Sequence, residues 1–247
     1  MSAHARSAQD RVPGGTRGPA LGVALAAGML GLLALAGRQA AARDPLRRAW
    51  SAAQAAGLYR VSGTTRAVTA DGVAAYAVEG VGTAAGALTL TVRAGTGPTV
   101  TYFVAWPRVT PLASTAGVAS PAAMEPHAVA LIFPAGDPLA LVATGHGARA
   151  AGIASIGGRD CGRVDFLVAA PAYAAWWLRH RAWLPVNADA GGLHKFTAEG
   201  TVWLEAGTDR PCRIAARMDL PRLAGEQPGD GEVDWVYAGW GEPRAGR

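Results

Sequence analysis

Residues 87–106 read ALTLTVRAGTGPTVTYFVAW, and this stretch decides the fold class. Apolar and polar residues alternate on both sides of a Gly-Thr-Gly-Pro turn, which is typical of strands with one buried face. The apolar residues that share a face are Leu88, Leu90 and Val92, then Val100, Tyr102, Val104 and Trp106. Because strands joined by so short a turn pair antiparallel, the stretch predicts a β-hairpin in an antiparallel sheet.

Similar alternation recurs along the chain and predicts a mainly β (α+β) domain. The further strands are expected at Leu58–Val68, at Val73–Val81, from Gly158 through Val164, Phe166 and Val168, at Phe196–Glu205, at Cys212–Leu220 and at Glu232–Trp240. The stretch from Pro107 to Gly136 has frequent prolines and no periodicity, and it predicts a long loop or flap.

Helix signals occur at three places. Asp44 can cap a helix that has Pro45 in its first turn and ends at Gly57, with an apolar face that includes Trp50. Asp137-Pro138 starts a short helix, Leu139–Thr144, by the same logic, and Pro171 starts a third helix that runs to about Trp183.

A charge-free run from Gly18 to Gly37 precedes the β-rich region. As a helix it would measure about 30 Å, the thickness of a bilayer's hydrocarbon core. The run is either an uncleaved anchor or a cleavable signal peptide. Its length favours an anchor, whereas the arginines that precede it and the small-x-small sites at residues 34–36 and 40–42 are typical of a signal peptide. We expect a basic tail at 1–18, the anchor or signal at 19–37, a linker at 38–43, the β domain at 44–240 and a tail at 241–247.

Composition and motifs exclude several function classes. The net charge of +5 comes almost entirely from arginine, and the arginines do not interleave with aromatic residues as a single-strand groove requires, so no nucleic-acid partner is expected. Neither a Gly-x-Ser-x-Gly elbow nor a Ser-x-x-Lys motif is present, the glycine pairs lack phosphate-binding frames, and the five histidines are scattered. The sequence therefore predicts no enzyme, no cofactor and no metal site.

Cys161 and Cys212 are the only cysteines, and in an exported domain they suggest one disulfide. Strand geometry argues against this bond. In a simple meander one strand would separate the strands that carry the two cysteines, and their Cα atoms would be about 9–10 Å apart, which is too far for a disulfide. The bond would then need the intervening strand to start later, or a different strand order. Two buried reduced thiols are the alternative.

The C-terminal half resembles a known group of proteins. The segments that carry the resemblance are the Asp137–Thr144 helix, Gly157-Gly158-Arg159-Asp160-Cys161, Gly200-Thr201-Val202-Trp203-Leu204-Glu205 and Arg210-Pro211-Cys212-Arg213-Ile214. Their order resembles the LolA-like superfamily, which includes lipoprotein carriers, lipid-binding lipoproteins of the LppX and LprG type, and sensor domains of the RseB type. The resemblance covers roughly 44–240. It implies a curved antiparallel half-barrel with helices packed in its mouth and an apolar cavity between them.

Aromatic residues are the candidates for lining that cavity, although a simple core would use the same residues. They are Trp50, Tyr59, Tyr102, Trp106, Phe133, Trp176, Trp177 and Trp183. Adjacent helical residues point about 100° apart, so Trp176 and Trp177 cannot both fill one narrow seam. We therefore expect the helix from Pro171 to cover the mouth of the half-barrel.

Three functions are compatible with these observations. The first is a membrane-tethered extracytoplasmic domain, at the cell membrane or secreted after cleavage, that binds a lipid or an acylated protein without catalysis. The second is a sensor or regulatory domain of the same fold, and the third is a structural envelope module with a filled core. The oligomeric state stays open.

Overall fold

A computed structural model describes residues 44–69, 72–83, 86–105, 108–114, 137–169, 197–219 and 230–242. The chain divides into two compact units, Met1–Arg43 and Asp44–Arg247, and every described residue belongs to the second. The expected anchor or signal segment therefore lies outside the described residues. In the ranges above, no helix is both long enough and apolar enough to cross a membrane.

The described residues form a mainly β structure. In chain order the elements are α1 (Pro45–Ala56), β1 (Leu58–Thr69), β2 (Gly72–Thr83), β3 (Ala87–Ala94), β4 (Thr99–Ala105), β5 (Arg108–Ser114), α2 (Leu139–Thr144), β6 (Gly145–Ile156), β7 (Arg159–Val168), β8 (Ala198–Glu205), β9 (Pro211–Asp219) and β10 (Asp230–Ala238).

All ten strands belong to one antiparallel sheet, in the order β5-β4-β3-β2-β1-β10-β9-β8-β7-β6. The order shows two five-strand meanders, β1–β5 and β6–β10, which are joined where the first strand pairs with the last. We call this β1–β10 pairing the seam. The antiparallel sheet predicted from residues 87–106 is confirmed, and a single ten-stranded sheet agrees with the expected half-barrel.

The inner face of the sheet, the face on which its apolar side chains gather, forms the core. Strands β1–β4 and β7–β10 all contribute buried residues to it, among them Val61, Val78, Leu90, Val104, Phe166, Val202, Ile214 and Trp235. Because strand residues alternate between faces, the neighbours of these residues point to the opposite, outer face. On the faces predicted for β3, β4, β9 and β10, every described residue is buried except Val100, which is half-buried against the core.

The two helices pack on the inner face. The Asp44 carboxylate accepts a hydrogen bond from the Leu46 amide at 3.0 Å, and Gly57 ends α1 with a positive φ of 77°, as predicted. Leu46, Ala49 and Ala53 are buried on one side of α1. This helix packs against α2 and β6, and α2 also contacts β7.

Two glycines on the inner face allow close packing of aromatic rings. A Cβ atom at Gly82 would lie 2.4 Å from the Tyr59 ring, and one at Gly200 would lie 2.7 Å from the Phe166 ring. Side chains at these positions would force the rings away, because a packed interior has no room for an added methyl group.

The prediction of a loop throughout Pro107–Gly136 was wrong in part, because residues 108–114 form β5. Pro111 sits in that strand, and β5 is an edge strand with a register shift opposite Thr101 and Tyr102. A proline is tolerated at an edge because its missing amide would otherwise face solvent. Residues 115–136 lie outside the described residues.

The prediction that strands resume only at Gly158 was also wrong. Residues Gly145–Ile156 form β6, the other edge of the sheet. Its sequence, GHGARAAGIASI, lacks alternation because most of its residues are exposed and two register shifts interrupt its pairing with β7. A strand without a buried face leaves no period-two signal.

Cys161 and Cys212 form a disulfide with Cα atoms 6.6 Å apart. Strand β8 lies between β7 and β9, so the strand order is the simple meander. The predicted spacing of 9–10 Å was wrong because Cys212 is the extra residue of a bulge: Trp203 pairs with Arg213, and Leu204 pairs with Pro211. A bulge bends its strand and re-aims the side chain, which brings the two cysteines together without a changed strand order.

Candidate functional site

The structure describes three of the eight aromatic residues expected to line a cavity. Tyr59 and Tyr102 are buried on the inner face, in β1 and β4, and Trp50 of α1 is half-buried against the same core. The sheet order separates β1 from β4 by two strands, so the two tyrosines lie on different parts of the face. The remaining five, Trp106, Phe133, Trp176, Trp177 and Trp183, lie outside the described residues, as does the helix predicted from Pro171.

An aromatic cluster covers one end of the seam on the inner face. The Tyr59 ring lies 5.6 Å from the Tyr237 ring and 5.1 Å from the Trp240 ring, measured between centroids, and the last two stack at 6.0 Å. The Trp240 indole donates a hydrogen bond to the carbonyl oxygen of Pro211, and the amide of Gly241 donates one to Leu58. The chain after β10 is thereby fixed across the start of β1.

A buried carboxyl group lies beneath this cluster. Asp137 lies two residues before the first residue of α2 and is only 8% exposed. Both tyrosine hydroxyls donate hydrogen bonds to it, Tyr59 to Oδ2 and Tyr237 to Oδ1 at 2.9 Å. The Leu139 amide also donates to Oδ1, at 3.0 Å. We call Asp137, Tyr59 and Tyr237 the carboxyl cluster.

Burial dominates the electrostatics of the carboxyl cluster. It raises the pKa of Asp137 above the usual range of an aspartate, although the three hydrogen bonds act in the opposite direction. Burial, followed by the charge of Asp137, also raises the pKa values of Tyr59 and Tyr237, so both hydroxyls remain donors. The cluster ties the start of α2 to both strands of the seam, because Tyr59 belongs to β1 and Tyr237 to β10.

Sequence reasoning identified Asp137 only as the start of a helix and did not find its tyrosine partners. Tyr59 and Tyr237 are 78 and 100 residues away from it in sequence. The single available signal was the position of the two tyrosines in the alternating pattern, which places each on the core-facing side of its strand. A buried tyrosine hydroxyl needs a hydrogen-bond partner.

The outer face carries charged side chains in a cross-strand row. Arg66, Glu232, Arg217 and Glu199 are successive neighbours in register on β1, β10, β9 and β8. Arg66 pairs with Glu232 at 3.2 Å, and Arg217 pairs with Asp230 at 2.6 Å. These residues contribute to an open trough of about 830 Å³ that crosses six strands, β1 and β10 to β6.

The charged side chains that line the trough are balanced in number. Four arginines line it (Arg66, Arg149, Arg163 and Arg217), together with four carboxylates (Asp165, Glu199, Glu232 and Asp234). Asp165 accepts hydrogen bonds from Arg163 and from Thr201, and Asp234 forms a two-point pair with Arg213 at 2.5 and 2.7 Å. In the described part of the chain, no group of three or more His, Cys, Asp and Glu side chains is placed to hold a metal ion.

Comparisons with known proteins give structural matches only. No protein-family model matches the chain, and no curated protein matches it. LprF from Mycobacterium bovis is 14% identical, with 81% of this chain and 92% of that chain covered and a TM-score of 0.38. The Mycobacterium tuberculosis lipoprotein LppX is also 14% identical, with 81% and 94% covered and a TM-score of 0.35.

The Pseudomonas aeruginosa MucA/MucB complex also matches, with 13% identity over 82% of this chain and 58% of that chain and a TM-score of 0.32. LppX is one of the proteins named in the resemblance drawn from the sequence. At TM-scores below 0.5 these similarities carry no argument about a ligand, a partner or an activity.

Proposed function

We propose that the chain is a membrane-tethered extracytoplasmic domain that binds an apolar ligand, a lipid or the acyl chain of a protein, on the inner face of its sheet without catalysis. The observation that supports this is the extent of the apolar inner face, which runs across eight of the ten strands.

The described helices are too short to cover that face. With 12 and 6 residues, α1 and α2 are about 18 and 9 Å long at a rise of about 1.5 Å per residue. The eight strands are neighbours in the sheet, and at about 4.8 Å spacing they extend over about 34 Å from the first to the last. Inner-face residues such as Leu88 and Val104 are nevertheless fully buried in the structure, so a ligand would replace part of the chain's own cover. We propose that an apolar ligand shares that role with the helix predicted from Pro171.

A paired substitution on β4 tests where the ligand binds. Tyr102 points to the inner face and Phe103, its neighbour, is 40% exposed. In the purified full chain, Tyr102→Ala should weaken binding of the apolar probe N-phenyl-1-naphthylamine about fivefold or more, because it removes buried aromatic area worth about 1 kcal/mol or more. Phe103→Ala should leave the affinity unchanged. Equal effects of the two substitutions would contradict binding on the inner face.

The membrane tether and its orientation are tested separately. A reporter fused after Arg247 should be active only outside the cytoplasm, because the run from Gly18 to Gly37 precedes a domain that contains a disulfide. Activity of the fused reporter in the cytoplasm alone would overturn the proposed location.

A regulatory or sensor role is the second candidate, and the trough on the outer face favours it. A partner protein bound there would contact Arg and Glu side chains of several strands and leave the inner face untouched. In that case Arg217→Glu would abolish partner binding without changing probe affinity. If the inner face binds no ligand and the outer face binds no partner, the remaining function is that of a structural module.

A further inference from the structure

The carboxyl cluster has a geometry that the proposed function does not use. Asp137 is a buried acid that accepts three hydrogen bonds, and all three donors are uncharged. Strand β1 presents Tyr59 to it and β10 presents Tyr237, while the inner-face residues of β7 nearest α2, Val164, Phe166 and Val168, are apolar. The buried side of α1 consists of Leu46, Ala49 and Ala53, which are also apolar.

The charged residues of the packed elements point elsewhere. Asp44 caps α1, and Arg48 pairs with Asp209 at 2.9 Å. Arg47 is exposed on the same helix, and the ionisable residues of the neighbouring strand β6, His146 and Arg149, are exposed as well. On β7, Arg159 donates to the backbone carbonyl of Tyr237 at 2.6 Å and pairs with Glu205 at 3.8 Å, and the other arginines that form ion pairs on β1 and β7 pair with carboxylates of the outer face. Among the described residues, no hydrogen bond or ion pair joins a cation to Asp137, and no cation contributes to its pKa shift.

The proton on Asp137 decides how many hydrogen bonds the cluster can make. An ionised carboxylate accepts from both tyrosines and from the Leu139 amide, but it is then a buried charge with no cation beside it. A neutral carboxyl avoids that charge and can donate its own proton to a tyrosine oxygen. Burial is the dominant influence and favours the neutral form.

We propose that Asp137 is a proton-operated latch, which holds the start of α2 at the seam while it is neutral and loosens α2 when it ionises. Leu139, Leu141 and Val142 of α2 are buried against the inner face, so loosening the helix uncovers part of that face. In this way the latch would make ligand access depend on pH. That consequence rests on the proposed function, but the pH-dependent movement of α2 is independent of it.

Hydrogen exchange of the full chain, read by mass spectrometry on a peptide that covers residues 137–144, tests the latch directly. After correction for intrinsic exchange, protection should fall as pH rises above the usual range of an aspartate, by at most about tenfold per pH unit for one proton. Asp137→Asn keeps a neutral side chain of the same size and should remove the pH dependence. A pH-independent wild-type protein, or an Asp137→Asn protein with the wild-type profile, would overturn the proposal.

Asp44→Asn is the matched control, because the Asp44 carboxylate caps α1 through the amide two residues later at the same 3.0 Å distance, with no tyrosine partner. It should leave the pH profile of α2 unchanged. If Asp137→Asn does not fold, Tyr237→Phe, which removes one donor from the carboxylate, should shift the midpoint of the wild-type transition to higher pH. An unchanged midpoint would count against the latch.

A second readout separates the latch from the proposed function. Binding of N-phenyl-1-naphthylamine to the full chain should strengthen over the same pH range in which protection of α2 falls. A pH-dependent α2 without any probe binding would reject the apolar ligand and keep the latch. Probe binding together with pH-independent protection of α2 would reject the latch and keep the apolar ligand.

Discussion

Reduction of the Cys161–Cys212 disulfide should lower the free energy of unfolding by about 4 kcal/mol. The bond joins residues 51 apart in sequence. In the chain-entropy treatment of the unfolded state, closing a loop of that length lowers its entropy by about 14 cal/mol/K, which is about 4 kcal/mol at 25 °C. For a domain of this size the loss corresponds to a Tm lower by about 8–16 °C.

The assay compares oxidised protein with the same protein refolded and kept under reductant, so that no side chain changes. Urea denaturation gives the free energies, and scanning calorimetry gives the Tm values. A variant with both Cys161→Ser and Cys212→Ser should lie near the reduced protein and should not respond to reductant. Agreement of the oxidised and reduced proteins within about 1 kcal/mol would refute the reasoning, as would labelling of both thiols in denatured, non-reduced protein.

Three further predictions concern the inner face. Gly82→Ala should destabilise the domain by about 1–3 kcal/mol in urea denaturation, because its Cβ would lie 2.4 Å from the Tyr59 ring. The control is Gly162→Ala, which should leave the stability nearly unchanged because its nearest non-neighbouring atom would lie 3.9 Å from the new Cβ. Tyr237→Phe should cost about 1–3 kcal/mol at neutral pH, since it removes a donor to a buried carboxyl group, and wild-type stability would contradict that bond. Because burial raises the pKa of Asp137, the folded protein holds this proton more tightly than the unfolded chain. The contribution of Asp137 to stability, measured as the difference between wild type and Asp137→Asn, should therefore be largest below about pH 3.9 and be lost as pH rises through the folded pKa. A difference that does not vary with pH would contradict the raised pKa.

Local chemistry made much of this fold predictable. Strands with one buried face, such as β3 and β9, show the period of two that burial imposes, and α1 carries its cap and its terminal glycine in sequence. Both strands that sequence reasoning missed, β5 and β6, are edges of the sheet. An edge strand pairs on one side only and buries little, so it tolerates Pro111 in one case and an Ala/Gly-rich sequence in the other.

The candidate site was less predictable, because its contacts are long-range. Tyr59 was selected as an aromatic residue for the inner face, but its bond to Asp137 depends on the seam that joins the first and last strands. The disulfide was expected from its chemistry, while the bulge at Cys212 that makes it possible depends on pairing between β8 and β9. Neither arrangement has a periodic signature in sequence.

Native mass spectrometry of the full chain, purified from membranes and released from detergent in the gas phase, tests the central proposal most directly. We expect the protein to carry a co-purified apolar ligand that organic extraction recovers, and the Tyr102→Ala protein to carry less of it than the Phe103→Ala protein. A wild-type chain at its bare polypeptide mass, which also fails to bind N-phenyl-1-naphthylamine, would contradict the proposal that the inner face is a ligand-binding surface.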